Sequence, residues 1–529
     1  MSNSNVTHGY NEGYGNINNF KSLLEEKGFV VQEGLLRYED ILKLCSLGII
    51  EDCFGNHAGA PYALYLLPPA PNQNPSKGQR PPKGYDPQNP DNYPANIAYL
   101  SPGANFKLRP DEAIVLVGKT PPPAYYFSFR SYISFVQNEP EKDYSDYLTV
   151  GNEEIGEYHR LLNSLGDQVN NFNIWTEHTQ KGTLGNPYSS STVIITTADR
   201  KINEQMRETL EAAGFSPDIM NNDNIPIGMV NMGLEKGRDH FMFAMRAIVF
   251  HDPAVGKEYL TNLKDYVKVF RISPKTPVTH LSPWPITTLK RRETYTTEFE
   301  VLPHARNELT HLRNEIIKKY GSTDYDHTDL KTDIWIVDGY TATVMDVDTV
   351  GDNRDASYFR SETFQLTSDD DFIILYGVNH EQTGKAVINN ASFYGEEHLN
   401  GVAVAQLSVE FKNSASDLFP QGYENEKYYY VSKMSRKNDG KSVPIPYSTG
   451  NPDGKAYGVD NYNDAFIGFR LYVDKEALVG PAHLDVIWDR ALLFTKKKES
   501  SRGTRKGKSH RKDLADNISI KISNKEIRL

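Results

Sequence analysis

Two arginines stand at matching places in two similar stretches of the sequence, and their chemistry suits ligand binding. DHFMFAMR, which ends at Arg246, resembles DAFIGFR, which ends at Arg470, and each stretch begins with an aspartate, Asp239 or Asp464. Charges in such apolar, strand-like surroundings need partners, because an unpaired buried ion is strongly unfavourable. The stretches predict either one structural Asp–Arg salt bridge each or a site where the arginines hold a carboxylate or phosphate.

An aromatic stretch, AYYFSFRSY, offers a second candidate for binding. Tyr126 and Arg130 share one face of the strand that it predicts, and three other aromatic side chains share the opposite face. Such alternation is typical of a core strand, whereas a row of exposed tyrosines would form a platform for sugar rings or flat ligands.

GVNHEQTGKA (377–386) has some features of a phosphate loop. Six residues separate its glycines where the motif has four, and Ala386 stands where Ser or Thr is required. We therefore predict a turn between strands, with His380 as a further candidate for ligand binding. The sequence has no zinc-binding Cys/His spacing and no G-x-S-x-G elbow, so no catalytic residue or cofactor is assigned.

The stretch DVDTVGDNRDAS places Asp346, Asp348 and Asp352 at suitable positions for a calcium loop. However, Val350 and Ser357 stand where that loop needs an oxygen ligand and a bidentate acid. An irregular Ca²⁺ site built from the three aspartates is the weaker alternative to a solvated turn.

The same stretch contains GDNRD, a box that also occurs in type I signal peptidases. The match covers five residues, and neither a matched Ser–Lys pair nor a membrane-spanning segment accompanies it. We expect a turn in which Asp352 and Asp355 cap backbone donors and Arg354 pairs with one of them.

Composition excludes several classes of protein. The 529 residues carry a net charge of -11, which argues against a general nucleic-acid binder. The C-terminal end departs from this acidic balance, because nine of the residues 496–512 are Lys or Arg. No signal peptide and no long apolar run occur, so we expect a cytoplasmic protein without a membrane span. The two cysteines, Cys45 and Cys53, allow a single local disulfide.

Short β-branched and aromatic runs predict strands over 113–118, 124–133 and 191–197. Apolar spacing predicts two short helices within 20–50 and further helices over 201–213 and 305–320. Asp199 is the expected N-cap of the third helix, and Gly214 and Gly321 are the expected stops of the last two.

An internal repeat organises these elements. DEAIVLVG (111–118) and DDFIILYG (370–377) agree at four of eight positions, and the two arginine stretches follow them in the same order. We therefore predict a mainly β protein of two related β-sandwich or jelly-roll-like domains from an internal duplication, with a small N-terminal helical segment and a few added helices. The predicted divisions are a helical segment (1–67), a Pro-rich linker (68–95), a first β domain with a helical insertion (96–280), a connector (281–332), a second β domain (333–497) and a basic tail (498–529).

Several of these stretches together resemble a loose family of uncharacterised bacterial and eukaryotic β-rich proteins. The resemblance spans roughly residues 50–495 and includes GNHAGAPYALYLLP, GDNRDASYFRS, YGVNHEQTGKA and DAFIGFRLYV. It implies a tandem β-sandwich fold and no activity.

The leading hypothesis for function is a protein that binds a small molecule or glycan in a cleft within or between the β domains. A hydrolase or lyase whose acid and base groups meet only in the fold is the first alternative. A structural or assembly protein that docks through its basic tail is the second. The sequence leaves the ligand, the reaction and the oligomeric state open.

Overall fold

β-Strands form most of the regular structure. A computed structural model describes residues 16–46, 52–73, 103–140, 142, 158–406, 410–437, 439–448 and 458–497. Within those ranges, no helix has both the length and the apolar character that crossing a bilayer requires. The predicted basic tail and most of the predicted linker lie outside the described residues.

The first half of the chain contributes ten strands to one sheet. They are β1 (Phe29–Glu39), β2 (Tyr62–Leu66), β3 (Ala113–Lys119), β4 (Ala124–Gln137), β5 (Tyr158–Ser164), β6 (Val169–Asn170), β7 (Ser191–Thr197), β8 (Met220–Asn224), β9 (His240–Phe250) and β10 (Val267–Pro274).

The second half contributes ten strands to two further sheets. They are β11 (Tyr325–Leu330), β12 (Thr332–Ile334), β13 (Ala356–Ser361), β14 (Phe372–Val378), β15 (Ile388–Gly395), β16 (Asn400–Gln406), β17 (Tyr429–Ser435), β18 (Val443–Pro444), β19 (Ala465–Tyr472) and β20 (Arg490–Lys496).

Helices are few and lie between the strands. They are α1 (Ile17–Glu26), α2 (Ile41–Ser46), α3 (Arg200–Ala212), α4 (Pro253–Thr261), α5 (Leu263–Tyr266), α6 (Glu298–Val301), α7 (Ala305–Tyr320), α8 (Gly339–Val344) and α9 (His380–Thr383). All these elements belong to one unit that ends at Lys496. The predicted division of this unit into domains stays a prediction.

Strands of the two halves pair in the same order. The first sheet runs β5-β4-β9-β2-β1-β10-β3-β7-β8, with β6 beside β4. The other two sheets run β16-β15-β19-β13-β12 and β11-β20-β14-β17-β18, and only Lys331 separates β11 from β12. In both halves the last pair, β7 with β8 and β17 with β18, is parallel. The mainly β prediction is confirmed, whereas the sandwich or jelly-roll form stays a prediction.

Helices cover a sheet face in each half, α1 and α3 in the first half and α7 in the second. Phe20 of α1 and Met206 of α3 pack in a core with Val115 of β3. In the second half, Leu312 of α7 packs in a core with Ile374 of β14. The α3 and α7 predictions are confirmed, and Asp199 caps α3 by accepting the N–H groups of Lys201 and Ile202.

Residues 29–39 form a strand, whereas the sequence predicted only helices over 20–50. Helices occupy the two ends of that stretch, but β1 lies between them. Its first part pairs with β10 and its second part with β2, so both edges of the strand are occupied. The local apolar spacing gave no sign of this pairing, because both partners lie far along the chain.

A disulfide joins Cys45 to Cys53 and fixes the segment that leads into β2. Both cysteines are buried in an apolar cluster that includes Leu64 and Tyr132. The local bridge that the two cysteines allowed is therefore present.

Replacing both cysteines, in C45S/C53S, should lower the free energy of unfolding by about 2 to 3 kcal/mol, because the bond closes a short loop and restricts the unfolded chain. Urea denaturation with and without dithiothreitol measures this. Dithiothreitol should lower the free energy of unfolding of the wild type to that of the variant and should not change that of the variant. An equal effect of reductant on both proteins would contradict the assignment.

Candidate functional site

A cavity lies between the two halves of the chain, and both predicted arginines line it. Its volume is about 60 Å³, so only a small ligand fits. The wall combines apolar side chains with a few polar ones. It consists of Ile41, Cys53, Phe54, Gly55, Asn56, Tyr62, Leu64, Tyr132, Leu162, Met242, Ala244, Arg246, Ile336, Val350, Gly351, Tyr358 and Arg470.

Two turns of like sequence form opposite parts of this wall. DCFGNHAGAPY runs from Asp52 to Tyr62, and DTVGDNRDASY runs from Asp348 to Tyr358. In each turn the aspartate accepts the N–H two residues ahead, at 2.9 Å in the first and 2.8 Å in the second. Each turn therefore fixes its own start in the same way.

The backbone at the centre of each turn is left-handed. Phe54 and Gly55 have φ of 53° and 55°, and Val350 and Gly351 have φ of 46° and 77°. A positive φ is costly for a β-branched residue such as Val350, and strain of this kind concentrates at functional sites. The two turns therefore share the same left-handed backbone conformation at equivalent positions.

Each arginine reaches across to the turn of the other half. Arg246, on β9, donates from Nη2 to the carbonyl oxygen of Gly351 at 3.0 Å. Arg470, on β19, donates from Nη2 to the carbonyl oxygen of Gly55. The two glycines occupy equivalent positions, so the contacts are reciprocal.

A tyrosine supports each arginine from the neighbouring strand. Tyr62 pairs in register with Arg246, and Tyr358 with Arg470. The guanidinium carbons lie 5.5 and 5.4 Å from the respective ring centroids, within the range of cation–π attraction. Each tyrosine hydroxyl also accepts a backbone N–H of its own turn at 2.9 Å. The ring therefore links the turn to the arginine beside it.

Arg246 and Arg470 are only 5% and 3% exposed. Among the described residues, neither arginine has a carboxylate partner. Asp239 accepts the N–H of Asn231 at 2.6 Å, and Asp464 accepts an N–H of Gln365 at 2.8 Å. The expected Asp–Arg salt bridges are therefore wrong. Asp239 and Asp464 are the first residues of their stretches, and the strand that follows carries the arginine away from the aspartate.

A buried donor atom of Arg470 lies close to the cavity. Nε of Arg470 is buried and has no hydrogen-bond partner in the described part of the chain. Burial, and then the positive charges of Arg470 and Arg246, hold the pKa of His57 well below its usual range. The region is thus positive and short of acceptors.

Arg160 connects the two turns from outside the cavity. Its Nη1 lies 2.9 Å from Asp52, and its Nε lies 2.6 Å from Asp348. These are the equivalent aspartates that begin the turns, so one guanidinium serves both. The pairing also occupies Asp348, one of the three predicted calcium ligands.

The three predicted calcium ligands bind separate donors. Asp346 pairs with His159 at 2.8 Å, and Asp352 accepts the N–H and hydroxyl of Ser164 at 2.7 and 2.8 Å. Across the described ranges, no three His, Cys, Asp or Glu side chains are arranged to hold a metal. Together with Asp348, these carboxylates hold the second turn against β5.

The GDNRD turn bonds mainly to the first half. Asp352 accepts backbone N–H groups, as predicted. Asp355 instead accepts the hydroxyl of Tyr126 at 2.8 Å, and Arg354 pairs with Asp167 at 2.7 Å and with Asp338. The expected pairing of Arg354 within its own turn is wrong, because acids of neighbouring segments lie within its reach. Burial raises the pKa of Asp355 to about 6.

The other predicted binding residues lie away from the cavity wall. Tyr126 is buried behind it, in an apolar cluster with Tyr472. Arg130 is buried in an ion pair with Asp223 at 2.8 Å. The strand that carries both, β4, is buried along most of its length, as a core strand would be.

His380 lies in a separate buried charge cluster. Its Nδ1 is 2.7 Å from Glu298, and its Nε2 is 3.2 Å from Asp489. Burial alone would lower the pKa of His380, but the two carboxylates outweigh burial and raise it to about 10. This arrangement stabilises the fold and leaves no ring nitrogen free for a ligand.

Sequence reasoning identified the arginines but missed the turns that meet them. The signal was available, because the stretches that begin at Asp52 and Asp348 agree at four of eleven positions, including Gly55 with Gly351 and Tyr62 with Tyr358. Aligning the two stretches with each other predicts the pair of turns.

Comparison with known proteins gives no function. No protein-family model matches the sequence, and no curated protein matches it. Two solved structures resemble it weakly. An uncharacterised protein from Burkholderia cenocepacia shares 10% identity over 86% of this chain and 87% of its own, with a TM-score of 0.32. The VPA0106 protein from Vibrio parahaemolyticus shares 12% identity over 74% of this chain and 88% of its own, with a TM-score of 0.29.

Replacing His380 by Gln should destabilise the protein by roughly 3 to 5 kcal/mol at neutral pH, because two buried carboxylates lose their cation. The folded pKa lies above the unfolded value of 6.5, so this stabilisation is complete below pH 6.5 and is lost as the pH rises towards about 10. Urea titrations should show that the difference in the free energy of unfolding between wild type and variant decreases as the pH rises from 6.5 towards 10. The exposed His327→Gln variant is the control, and a difference that is independent of pH would contradict the assignment.

Replacing Arg160 by Gln should lower the free energy of unfolding by roughly 3 to 5 kcal/mol, since Asp52 and Asp348 become unpaired charges. The triple variant R160Q/D52N/D348N should recover much of the loss, because the amides keep the turn acceptors without a charge. Equal stability of the single and triple variants, measured by urea denaturation, would show that Arg160 does not neutralise the two turns.

Proposed function

We propose that this protein binds a small organic anion in the cavity between its two halves. The observation that carries the proposal is the pair Arg246 and Arg470, which are buried in one cavity without a carboxylate partner in the described part of the chain. Two like charges in a poorly solvated space are strongly unfavourable unless an anion accompanies them. Guanidinium groups suit carboxylates and phosphates, because their donors form a planar fork.

The rest of the wall favours a ligand with an apolar body. Aliphatic side chains such as Leu64, Leu162 and Ile336 stand beside the two guanidiniums. Ligand sites commonly combine such walls with a few polar groups that fix orientation. A glycan would find few hydrogen-bond partners here, so we favour an organic acid over a sugar.

Binding has more support than catalysis. Among the described residues, no Asp, Glu, His or Lys lines the cavity, so the wall offers no acid and base pair. A hydrolase or lyase activity and an assembly role therefore remain secondary hypotheses.

We also infer that the two halves arose by duplication. The common strand order, the matched left-handed turns and the reciprocal arginine contacts support this inference. Duplication would account for a cavity whose two ends carry the same set of groups.

A thermal-shift screen of organic acids against their neutral amides tests the proposal. At least one acid should raise the melting temperature of the wild type while its amide does not, because only the anion gains from the guanidiniums. The variants R246Q and R470Q should lose this shift, and the exposed Arg200→Gln variant should keep it.

The melting temperatures without ligand provide a second readout. Gln is too short to keep the hydrogen bond to the glycine carbonyl, but it removes a buried charge that lacks a counter-ion, and this gain should offset the lost contacts. R246Q and R470Q should therefore melt close to the Arg200→Gln control. An acid that stabilises the R246Q/R470Q double variant as much as the wild type would contradict the proposed site.

A further inference from the structure

We propose that the ligand carries two acidic groups, one for each guanidinium, joined by a short apolar segment. This inference rests on the proposed anion-binding function and narrows it to α,ω-dicarboxylates and compounds of the same charge pattern.

The first support is the likeness of the two ends of the cavity. Each end has an arginine, a tyrosine beside it on the next strand, and a glycine carbonyl from a left-handed turn of the other half. A group that suits Arg246 therefore also suits Arg470. A ligand with one acidic group would satisfy one end and leave an equivalent end without an anion.

The second support is charge. The wall carries two positive charges, and no acidic residue lines it in the part of the chain that the structure describes. The nearby carboxylates are occupied elsewhere: Asp52 and Asp348 pair with Arg160, and Asp352 accepts from Ser164. A monoanion would thus leave one guanidinium buried without a counter-charge, whereas a dianion would neutralise both.

The third support is the closeness of the two charges. Both arginines lower the pKa of His57, and both lower that of Tyr358 against the larger effect of burial. Both guanidiniums also line the same small cavity, so one small molecule can contact both. The wall near both carries Leu162 and Ile336, which suit a short aliphatic segment between the acidic groups.

The two ends differ in their surroundings, which should orient an unsymmetrical diacid. Arg246 donates to the hydroxyl of Tyr132 at 2.9 Å. Arg470 lies among the rings of Trp335, Tyr358 and Tyr394, 5.4 to 5.6 Å from their centroids. A more weakly hydrated group is therefore expected at the Arg470 end.

Calorimetric titration of the full chain with succinate, glutarate, adipate and pimelate tests the inference. The matched probes are the monomethyl esters of the same acids, which keep the carbon chain, lose one charge and gain one methyl group. Inorganic phosphate serves as a compact anion. The best diacid should bind about 10- to 100-fold more tightly than its monoester, because the ester forfeits one charge-assisted contact.

Single substitutions at either end complete the experiment. R246Q and R470Q should each reduce the ratio between diacid and monoester to about one, whereas Arg200→Gln should leave it unchanged. Equal binding of diacids and monoesters by the wild type would overturn the diacid inference and leave anion binding intact. Preference for phosphate over every diacid would also overturn it. Absence of binding by all probes, together with a negative acid screen, would overturn both proposals.

Discussion

The crossed contacts between each arginine and the glycine carbonyl of the opposite half are the constraint on which the rest of the site depends. They require that the two halves meet at one fixed distance and that each turn points its carbonyl outward. The left-handed φ at Phe54 and Val350 meets the second requirement, and the tyrosine of each turn holds the arginine beside it. Removing any one of these features would move a guanidinium away from the cavity wall.

Buried ion pairs and hydrogen bonds link the two halves around these contacts, and the two arginines differ from the other charged groups because they lack a carboxylate partner among the described residues. Asp348, Asp352 and Asp355 each accept from the first half, and Arg160 neutralises both turns at once. Such networks specify a single arrangement of the two halves, because a shifted arrangement would leave buried groups unpaired. Against this background, two buried guanidiniums with neutral partners alone are better explained by function than by stability.

Much of the secondary structure could be predicted from the sequence, because local spacing and caps encode α3, α7, β3, β4 and β7. β1 could not, since its two edges are occupied by strands distant in the chain. The two arginines could be predicted as candidate site residues from their apolar surroundings and from the internal repeat. Their partners could not be predicted, because each stretch contains its own aspartate and only the fold shows that the acceptor of each arginine belongs to the other half. His380 was noticed for its motif and lies in a structural cluster instead.

The reciprocity of the arginine contacts bears on the history of the chain. Neither half holds both an arginine and the glycine carbonyl that receives it, so one half alone cannot complete the contact. An ancestor with a single copy of this turn could have formed it only as a homodimer, with the cavity on the rotation axis. Under the duplication inferred above, fusion of two gene copies would have freed each side to diverge, as at Cys53 and Thr349, which occupy equivalent positions in the two turns.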